Sequence, residues 1–232
     1  MIIKSALNPY LYFYFLSDDE AKNIAGALNL QQDDKLIAMT YNKPEIYVHA
    51  RRDANNEIFD HYSQYDDNEK RMKIKIVDSA YLSVVALKQN DEALPVNCVK
   101  INKDTRVVES SFNAMIIGFG STGLEAFKFL YEYSAFIDKD LKRIPFKCCA
   151  IDENMNKIEG VVREKMPAIG EDELSFINTS VDSEEFWTKI SSQINDLNYI
   201  VITLNNDEIG LSLAVNLFKY ALRKRTDSEN IL

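Results

Sequence analysis

Three of the chain's seven glycines fall within six residues, Gly118-Phe119-Gly120-Ser121-Thr122-Gly123. The preceding residues, 113–117, form a short apolar run typical of a buried strand, and residues 124–130 place apolar side chains at helical spacing. The window therefore predicts a strand, a tight turn and a helix. At such a turn the first glycine permits the tight bend, the second lets backbone approach a pyrophosphate, and the third allows close packing of helix on strand.

The start of the predicted helix favours an anion. The first N–H groups of a helix have no partner within it, and the aligned peptide dipoles place partial positive charge at that end. Ser121 and Thr122 would add hydroxyl donors. The chain has a net charge of −9 and lacks the concentrated basic surface that nucleic acid requires. We therefore predict phosphate binding over residues 118–123 and no nucleic-acid partner.

A second apolar run, residues 146–151, ends in Asp152. In a nucleotide-binding sheet of parallel strands, an acid at the end of the second strand accepts hydrogen bonds from the ribose hydroxyls of the adenosine. The spacing from the glycines is longer than usual because residues 138–145 insert a polar stretch. We predict that Asp152 contacts the ribose and repels a 2′-phosphate, so that NAD binds more tightly than NADP.

Apolar runs and helical patterns alternate along both halves of the chain. Two adjacent parallel strands need a crossover connection, so this alternation predicts parallel sheets wrapped by helices. The predicted fold class is α/β, a Rossmann-like parallel sheet with flanking helices, built as two incomplete Rossmann-type units in tandem. Residues 1–94 are predicted to supply the late strands of one unit, residues 95–111 a connection with a hairpin, and residues 112–232 strands one to four of the nucleotide-binding unit.

The chain is poorly equipped for metal or hydrolytic chemistry. Its histidines, His49 and His61, show no metal-ligand spacing, and Cys98, Cys148 and Cys149 are an odd number without a CxxC pattern. We predict no catalytic residue, no metal site and a reduced, cytoplasmic compartment. The longest apolar run is far shorter than the roughly 20 residues that span a bilayer.

Four passages resemble one family, the cytoplasmic RCK, KTN or TrkA-N nucleotide-binding domains that regulate potassium channels and transporters. The glycine passage and the strand ending in Asp152 are shared with other Rossmann folds. The acidic helix start Leu204-Asn205-Asn206-Asp207-Glu208 is more particular, and residues 16–20 are its N-terminal counterpart. Residues 44–51 and 74–87 are similar to the family's fifth strand and to its sixth strand and helix.

The resemblance implies a nucleotide that acts as a regulatory signal without turnover. The ligand would be NAD or NADH, or alternatively ADP, ATP or AMP. It would contact Asn178 and Thr179 after the third strand and Leu204 and Asn205 after the fourth. The family commonly has Gly-Asp after the third strand, where this chain has Asn178-Thr179.

Two other functions stay open. An NAD-dependent oxidoreductase would need an acid/base group beside the nicotinamide, and none is evident from the sequence. A structural Rossmann scaffold would keep the glycines for the turn alone. No pore helices are visible, so the resemblance implies a soluble subunit or an excised part of a larger protein, at the cytoplasmic face of a membrane channel or transporter.

Each half of the chain lacks some strands of a complete Rossmann sheet, so part of its apolar core would be uncovered. This predicts a homo-oligomer of paired domains. The interface candidates lie on the helices beginning near Asp18 and Asp207. Packing against their own sheets is an equal alternative for half of them. These candidates are Ile24, Ala27 and Leu28 on the first helix and Leu211, Ala214, Val215 and Phe218 on the second.

Overall fold

The fold is taken from a computed structural model that describes residues 11–33, 35, 44–55 and 72–225. Its contacts divide the chain into two compact units, Met1–Leu82 and Ser83–Leu232. The first segment predicted from the sequence, residues 1–94, extends beyond the end of the smaller unit. The division falls earlier because Val84 and Leu87 pack in the core of the larger unit. His61 and residues 226–232 lie outside the described part of the chain.

The smaller unit contains a parallel three-stranded sheet in the order β1-β2-β3, formed by Tyr12–Phe15, Glu45–His49 and Lys73–Val77. Helix α1 (Glu20–Gln31) covers one face of this sheet. Helix α2 (Ser79–Lys88) follows β3.

Helix α1 corrects part of the predicted interface. Ala27 is fully buried, and Ile24 and Leu28 pack with it against the strands of the same unit. These three side chains therefore belong to the core of the smaller unit, which was the alternative left open by the sequence.

The larger unit contains a parallel four-stranded sheet in the order β6-β5-β4-β7. Its first strand is thus central, with the second and third on one side and the fourth on the other, as in the first half of a Rossmann fold. The Rossmann-like α/β class predicted from the sequence is confirmed. The strands are β4 (Phe112–Ile117), β5 (Phe146–Asp152), β6 (Leu174–Asn178) and β7 (Tyr199–Ile202), and the helices are α3 (Ser121–Tyr133), α4 (Met155–Lys165), α5 (Glu184–Gln193) and α6 (Asp207–Lys224).

Helices cover both faces of this sheet, because successive strand residues point to opposite faces and both faces are apolar. On one face, Ala114 and Ile116 pack in a cluster with Phe127 of α3. On the other, Met115 and Ile117 pack with α5 and α6. The order of the strands reverses between β4 and β7, which opens a crevice at their carboxyl ends.

The segment before β4 packs into the larger unit. It forms two short 3₁₀ turns, Asp91–Ala93 and Pro95–Cys98, and an antiparallel bridge joins Ile101 to Val108. The buried hydroxyl of Tyr199 donates to the carbonyl oxygen of Ala93 at 2.9 Å. The predicted hairpin is therefore present as a single bridge, anchored to the sheet that follows it.

Candidate functional site

Gly118 begins the turn after β4 in a conformation that favours glycine. Its φ is +88°, and a Cβ atom there would lie 2.7 Å from the carbonyl oxygen of Thr203. The Thr203 hydroxyl donates in turn to the carbonyl oxygen of Gly118. The first glycine therefore lets the turn after β4 pack directly on the end of β7.

Gly120 has the opposite environment. A Cβ atom at this position would meet nothing within 4 Å, and the residue is the exposed N-cap of α3. Gly123, one turn into the helix, is buried against the carbonyl of Gly118. The middle glycine thus leaves open space in front of the helix, while the outer two serve packing.

Helix α3 differs from the other named helices at its N-terminus. Its cap residue forms no side-chain hydrogen bond with the first turn, which is also true of Asn154 at the start of α4, but no side chain from elsewhere replaces it at α3. Each of the others has a side-chain oxygen that accepts from a first-turn N–H, which satisfies part of the helix end. The accepting residues are Asp19 for α1, Asp78 for α2, Asn178 for α4, Ser183 for α5 and Asn206 for α6. The N-terminus of α3 therefore keeps donors for an external anion.

Asp152, at the end of β5, holds the glycine turn. Its Oδ2 accepts from the backbone N–H of Phe119 at 2.8 Å, and its Oδ1 accepts from the N–H of Asn154 at 2.8 Å. A carboxylate offers about four lone-pair positions, so each oxygen retains capacity for a further donor. The residue is half-buried and lines the crevice, where ribose hydroxyls could reach it.

An open cleft of about 290 Å³ lies at the carboxyl ends of β4, β5, β6 and β7. It brings together six of the residues predicted as ligand contacts, which come from four different strand ends. Those six are Gly118, Gly120, Asp152, Thr179, Leu204 and Asn205.

The other predicted contacts lie outside the lining. The side chain of Phe119 is 1% exposed and packs edge-on against Phe127 and Phe176, so only its backbone serves the site. Asn178 accepts from the N–H of Asn156 at 3.2 Å and caps α4. Ser121 and Thr122 are half-buried in the first turn of α3, and Gly123 packs beneath them.

Sequence reasoning missed several lining residues, most of them polar. They share one signal, since each lies at, or within a few residues after, the end of a predicted strand. If the site had been predicted to include the few residues that follow each strand, the positions directly after Asp152, Thr179 and Asn205 would have been included. The missed residues are Ile151, Glu153, Asn154, Ser180, Val181, Asp182, Thr203, Asn206 and Ile209.

The charge of the cleft is negative. Among the described residues, its lining carries the carboxylates of Asp152, Glu153 and Asp182 and no lysine or arginine. A phosphate group would therefore depend on backbone N–H groups for its binding energy, and each added negative charge on the ligand would weaken binding.

Two features are absent from the described part of the chain, a cluster of metal ligands and a membrane-spanning helix. This part contains no group of three or more histidine, cysteine or acidic side chains placed to hold a metal ion. No described helix is both long enough and apolar enough to cross a bilayer. The three cysteines are buried and free.

No protein-family model matches the chain, and no curated protein matches it. Among solved structures, the chain has a slight similarity to the apo-structure of D-lactate dehydrogenase from Escherichia coli. The identity is 9% and the TM-score 0.32, over 96% of this chain and 72% of that chain. A likeness of this size assigns neither a ligand nor an activity, so the site rests on its own geometry.

Proposed function

We propose that the chain binds a nucleotide in the cleft of its larger unit, with the pyrophosphate or phosphate over Gly118–Gly123. The ligand is NAD or NADH, or alternatively ADP, ATP or AMP. One observation carries the proposal: α3 is the named helix whose first-turn N–H groups meet no side-chain acceptor, either from its own cap residue or from elsewhere, and a Cβ atom on its N-cap glycine would meet nothing within 4 Å. This geometry matches a phosphate that takes its hydrogen bonds from backbone.

The ribose contact supports the same ligand class. Asp152 lies at the end of the strand next to β4, where the acid of a dinucleotide site is found, and its oxygens retain acceptor capacity. Thr179 and Asn205 line opposite sides of the cleft, after β6 and β7 respectively. The adenosine would lie on the β6 side and the remainder of a dinucleotide on the β7 side.

The bound nucleotide would act as a signal and would not be turned over. Hydride transfer requires a proton donor or acceptor beside the nicotinamide. The carboxylates of the described lining, Asp152, Glu153 and Asp182, follow β5 and β6, on the side assigned to the adenosine, and the lining has no histidine, lysine or tyrosine. A steady-state assay of NADH oxidation over a panel of carbonyl substrates should give no turnover. Measurable turnover would favour the oxidoreductase.

Calorimetry with NAD, NADH, AMP, ADP and ATP tests the binding proposal. At least one of these ligands should bind the unmodified chain, and Gly120→Val should abolish that binding because its side chain fills the phosphate position. Gly160→Val is the matched control, since Gly160 lies on α4 with open space around its Cβ position. Failure of all five ligands to bind would leave the structural scaffold as the function.

The link to potassium transport rests on the sequence resemblance alone. In that function the chain is a cytoplasmic subunit or domain whose nucleotide state changes the activity of a potassium channel or transporter. Potassium uptake by cells lacking the chain should change and should be restored by the unmodified chain. If Gly120→Val also restored potassium uptake, the role in potassium transport would not depend on nucleotide binding.

A further inference from the structure

The hydroxyl of Thr179 has a fixed direction. Thr179 lines the cleft just after β6 and is 8% exposed, and its Oγ1 lies 2.8 Å from Oγ of Ser183. Ser183 has a single hydroxyl proton, which it donates to the carbonyl oxygen of Ser180 at 2.8 Å. The proton between the two hydroxyls therefore comes from Thr179, and Oγ1 of Thr179 keeps only acceptor positions.

Helix α5 holds this arrangement in place. As its N-cap, Ser183 accepts from the backbone N–H of Phe186 at 3.1 Å, and the hydroxyl of Thr179 takes the second acceptor position of the same oxygen. If the Thr179 hydroxyl turned towards the cleft, its hydrogen bond to Ser183 would be lost. Thr179 therefore offers a ligand an acceptor and no donor.

The carboxylates beside Thr179 have the same polarity. The N–H of Thr179 donates to the backbone carbonyl oxygen of Asp152 at 3.2 Å, which places the two residues side by side. The carboxylates of Asp152 and Asp182 accept hydrogen bonds and do not donate them. Ser180 and Asn154 also line this side, but a hydroxyl or an amide can turn to donate or to accept, so neither discriminates. This side of the cleft therefore favours donors on the ligand.

We propose that Thr179 reads the exocyclic amine of an adenine base, so that the cleft selects adenine over hypoxanthine and guanine. This inference rests on the proposed function, which puts the adenosine on the β6 side. Adenine carries an N–H donor at C6, where the other two purines carry a carbonyl oxygen. The amine donates to Oγ1 of Thr179, whereas a carbonyl there would leave two acceptors facing each other. Unpaired polar groups of this kind reject a ligand strongly.

Ser183 is a positioning residue in this scheme. It lies outside the lining of the cleft and acts through Thr179, by fixing the direction of that hydroxyl. The same side chain caps α5, so the selectivity of the cleft depends on how a neighbouring helix begins.

Calorimetry with AMP, IMP and the 5′-monophosphate of purine riboside tests the reading of the base. The three ligands share one ribose phosphate and differ at C6, which carries an amine, a carbonyl oxygen or a hydrogen. AMP should bind at least about tenfold more tightly than IMP, and the purine ligand should fall between them, because it lacks the donor but brings no opposing oxygen. NAD and nicotinamide hypoxanthine dinucleotide give the same comparison for a dinucleotide. Equal affinities for the amine and carbonyl ligands would overturn this inference alone, whereas failure of every nucleotide to bind would overturn the proposed function.

Three substitutions test the direction of the hydroxyl. Thr179→Val removes the acceptor, so the ratio of AMP to IMP affinity should fall below about threefold, whereas Thr179→Ser should preserve the ratio. Ser183→Ala frees the Thr179 hydroxyl to donate into the cleft, so IMP should gain affinity relative to AMP. A purely structural role of Ser183 would weaken all the ligands alike.

Asp19→Ala is the matched control for Ser183→Ala, because it removes the N-cap of α1 in the smaller unit and should leave the ratio unchanged. Circular dichroism verifies that the variants fold. A ratio that stays the same in Thr179→Val or in Ser183→Ala would overturn the inference.

Discussion

The backbone N–H of Phe119 donates to Oδ2 of Asp152 across 2.8 Å, although 33 residues separate them in sequence. The turn after β4 is thus held by the acid at the end of its neighbour β5. Hydrogen bonds from backbone to a carboxylate are stronger than those between neutral groups. A ribose that binds Asp152 would therefore bind a group that also positions the glycine turn, so the two halves of the proposed site are linked through one side chain.

Asp152 should make the site prefer NAD over NADP by at least tenfold, or about 1.4 kcal/mol. The reason is that a 2′-phosphate would lie beside the carboxylates of Asp152 and Glu153, with no cation in the described lining. Asp152→Ala should lower affinity for NAD and narrow the ratio of the two affinities. Calorimetry with both ligands measures this ratio.

The control for Asp152→Ala is Glu171→Ala, which removes an exposed carboxylate from the loop before β6, at the opposite end of the strands. This variant should keep the affinity ratio of the unmodified chain. Tighter binding of NADP than of NAD would contradict the role of Asp152.

Substitutions at Gly118, Gly120 and Gly160 should distinguish a glycine that the fold requires from one that the fold does not require. Gly118→Ala should lower the free energy of unfolding by about 2–4 kcal/mol, because of its positive φ and its contact with the Thr203 carbonyl. Gly120→Ala should cost less than about 1 kcal/mol. Gly160→Ala should gain about 0.5–1 kcal/mol, since it lies within α4 with open space beside it. Urea unfolding gives all three values, and equal losses at Gly118 and Gly120 would refute this division.

The sequence predicts the sheet of the larger unit well because its strands are buried on both faces. Such strands are continuous apolar runs, which single-sequence patterns detect, and the predicted β5 and β6 agree with the structure to within one residue. The glycine spacing likewise identifies the turn, because few local structures require glycine at all three positions. Asp152 followed from its place at the end of a strand.

The direction of a side chain at the end of a strand was not predictable. Asn178 and Thr179 are neighbours, yet Asn178 caps α4 while Thr179 lines the cleft. Which of the two faces the ligand depends on the pleat of β6 and on where α4 begins, and neither is encoded locally. The same limit applies to α1 and α6. Both are amphipathic, but only packing decides that Ala27 is buried while Phe218 is exposed.

Asn198 should be among the most sensitive polar positions of the larger unit. Its Oδ1 accepts from the N–H of Asn113 at 2.9 Å, and its Nδ2 donates to the carbonyl of Cys98 at 3.0 Å. Asn198→Ala would leave both backbone groups without these partners and should lower the free energy of unfolding by about 1–3 kcal/mol. Asn195→Ala, at an exposed nearby position, should change it by less than about 0.5 kcal/mol. Chemical unfolding distinguishes the two, and equal small effects would rule out the bridging role.

Alkaline pH should destabilise the larger unit through Cys98 and Tyr199. Burial raises the pKa of the Cys98 thiol to about 11, and burial together with the nearby Cys98 raises the pKa of Tyr199 to about 12. Both groups ionise more readily in the unfolded chain, where their pKa values are near 9 and 10. Their contribution is therefore fully present below about pH 9 and is lost as pH rises towards 12. Urea unfolding between pH 7 and 11 should show this fall in the free energy of unfolding for the unmodified chain.

Two variants separate the contributions of Tyr199 and Cys98. Tyr199→Phe should lower stability by about 1–3 kcal/mol at pH 7, because the Ala93 carbonyl loses its donor. It should also make the fall above pH 10 shallower, whereas Cys98→Ala should reduce the fall that begins near pH 9. Identical alkaline slopes in all three proteins would show that these two buried groups do not set the pH dependence.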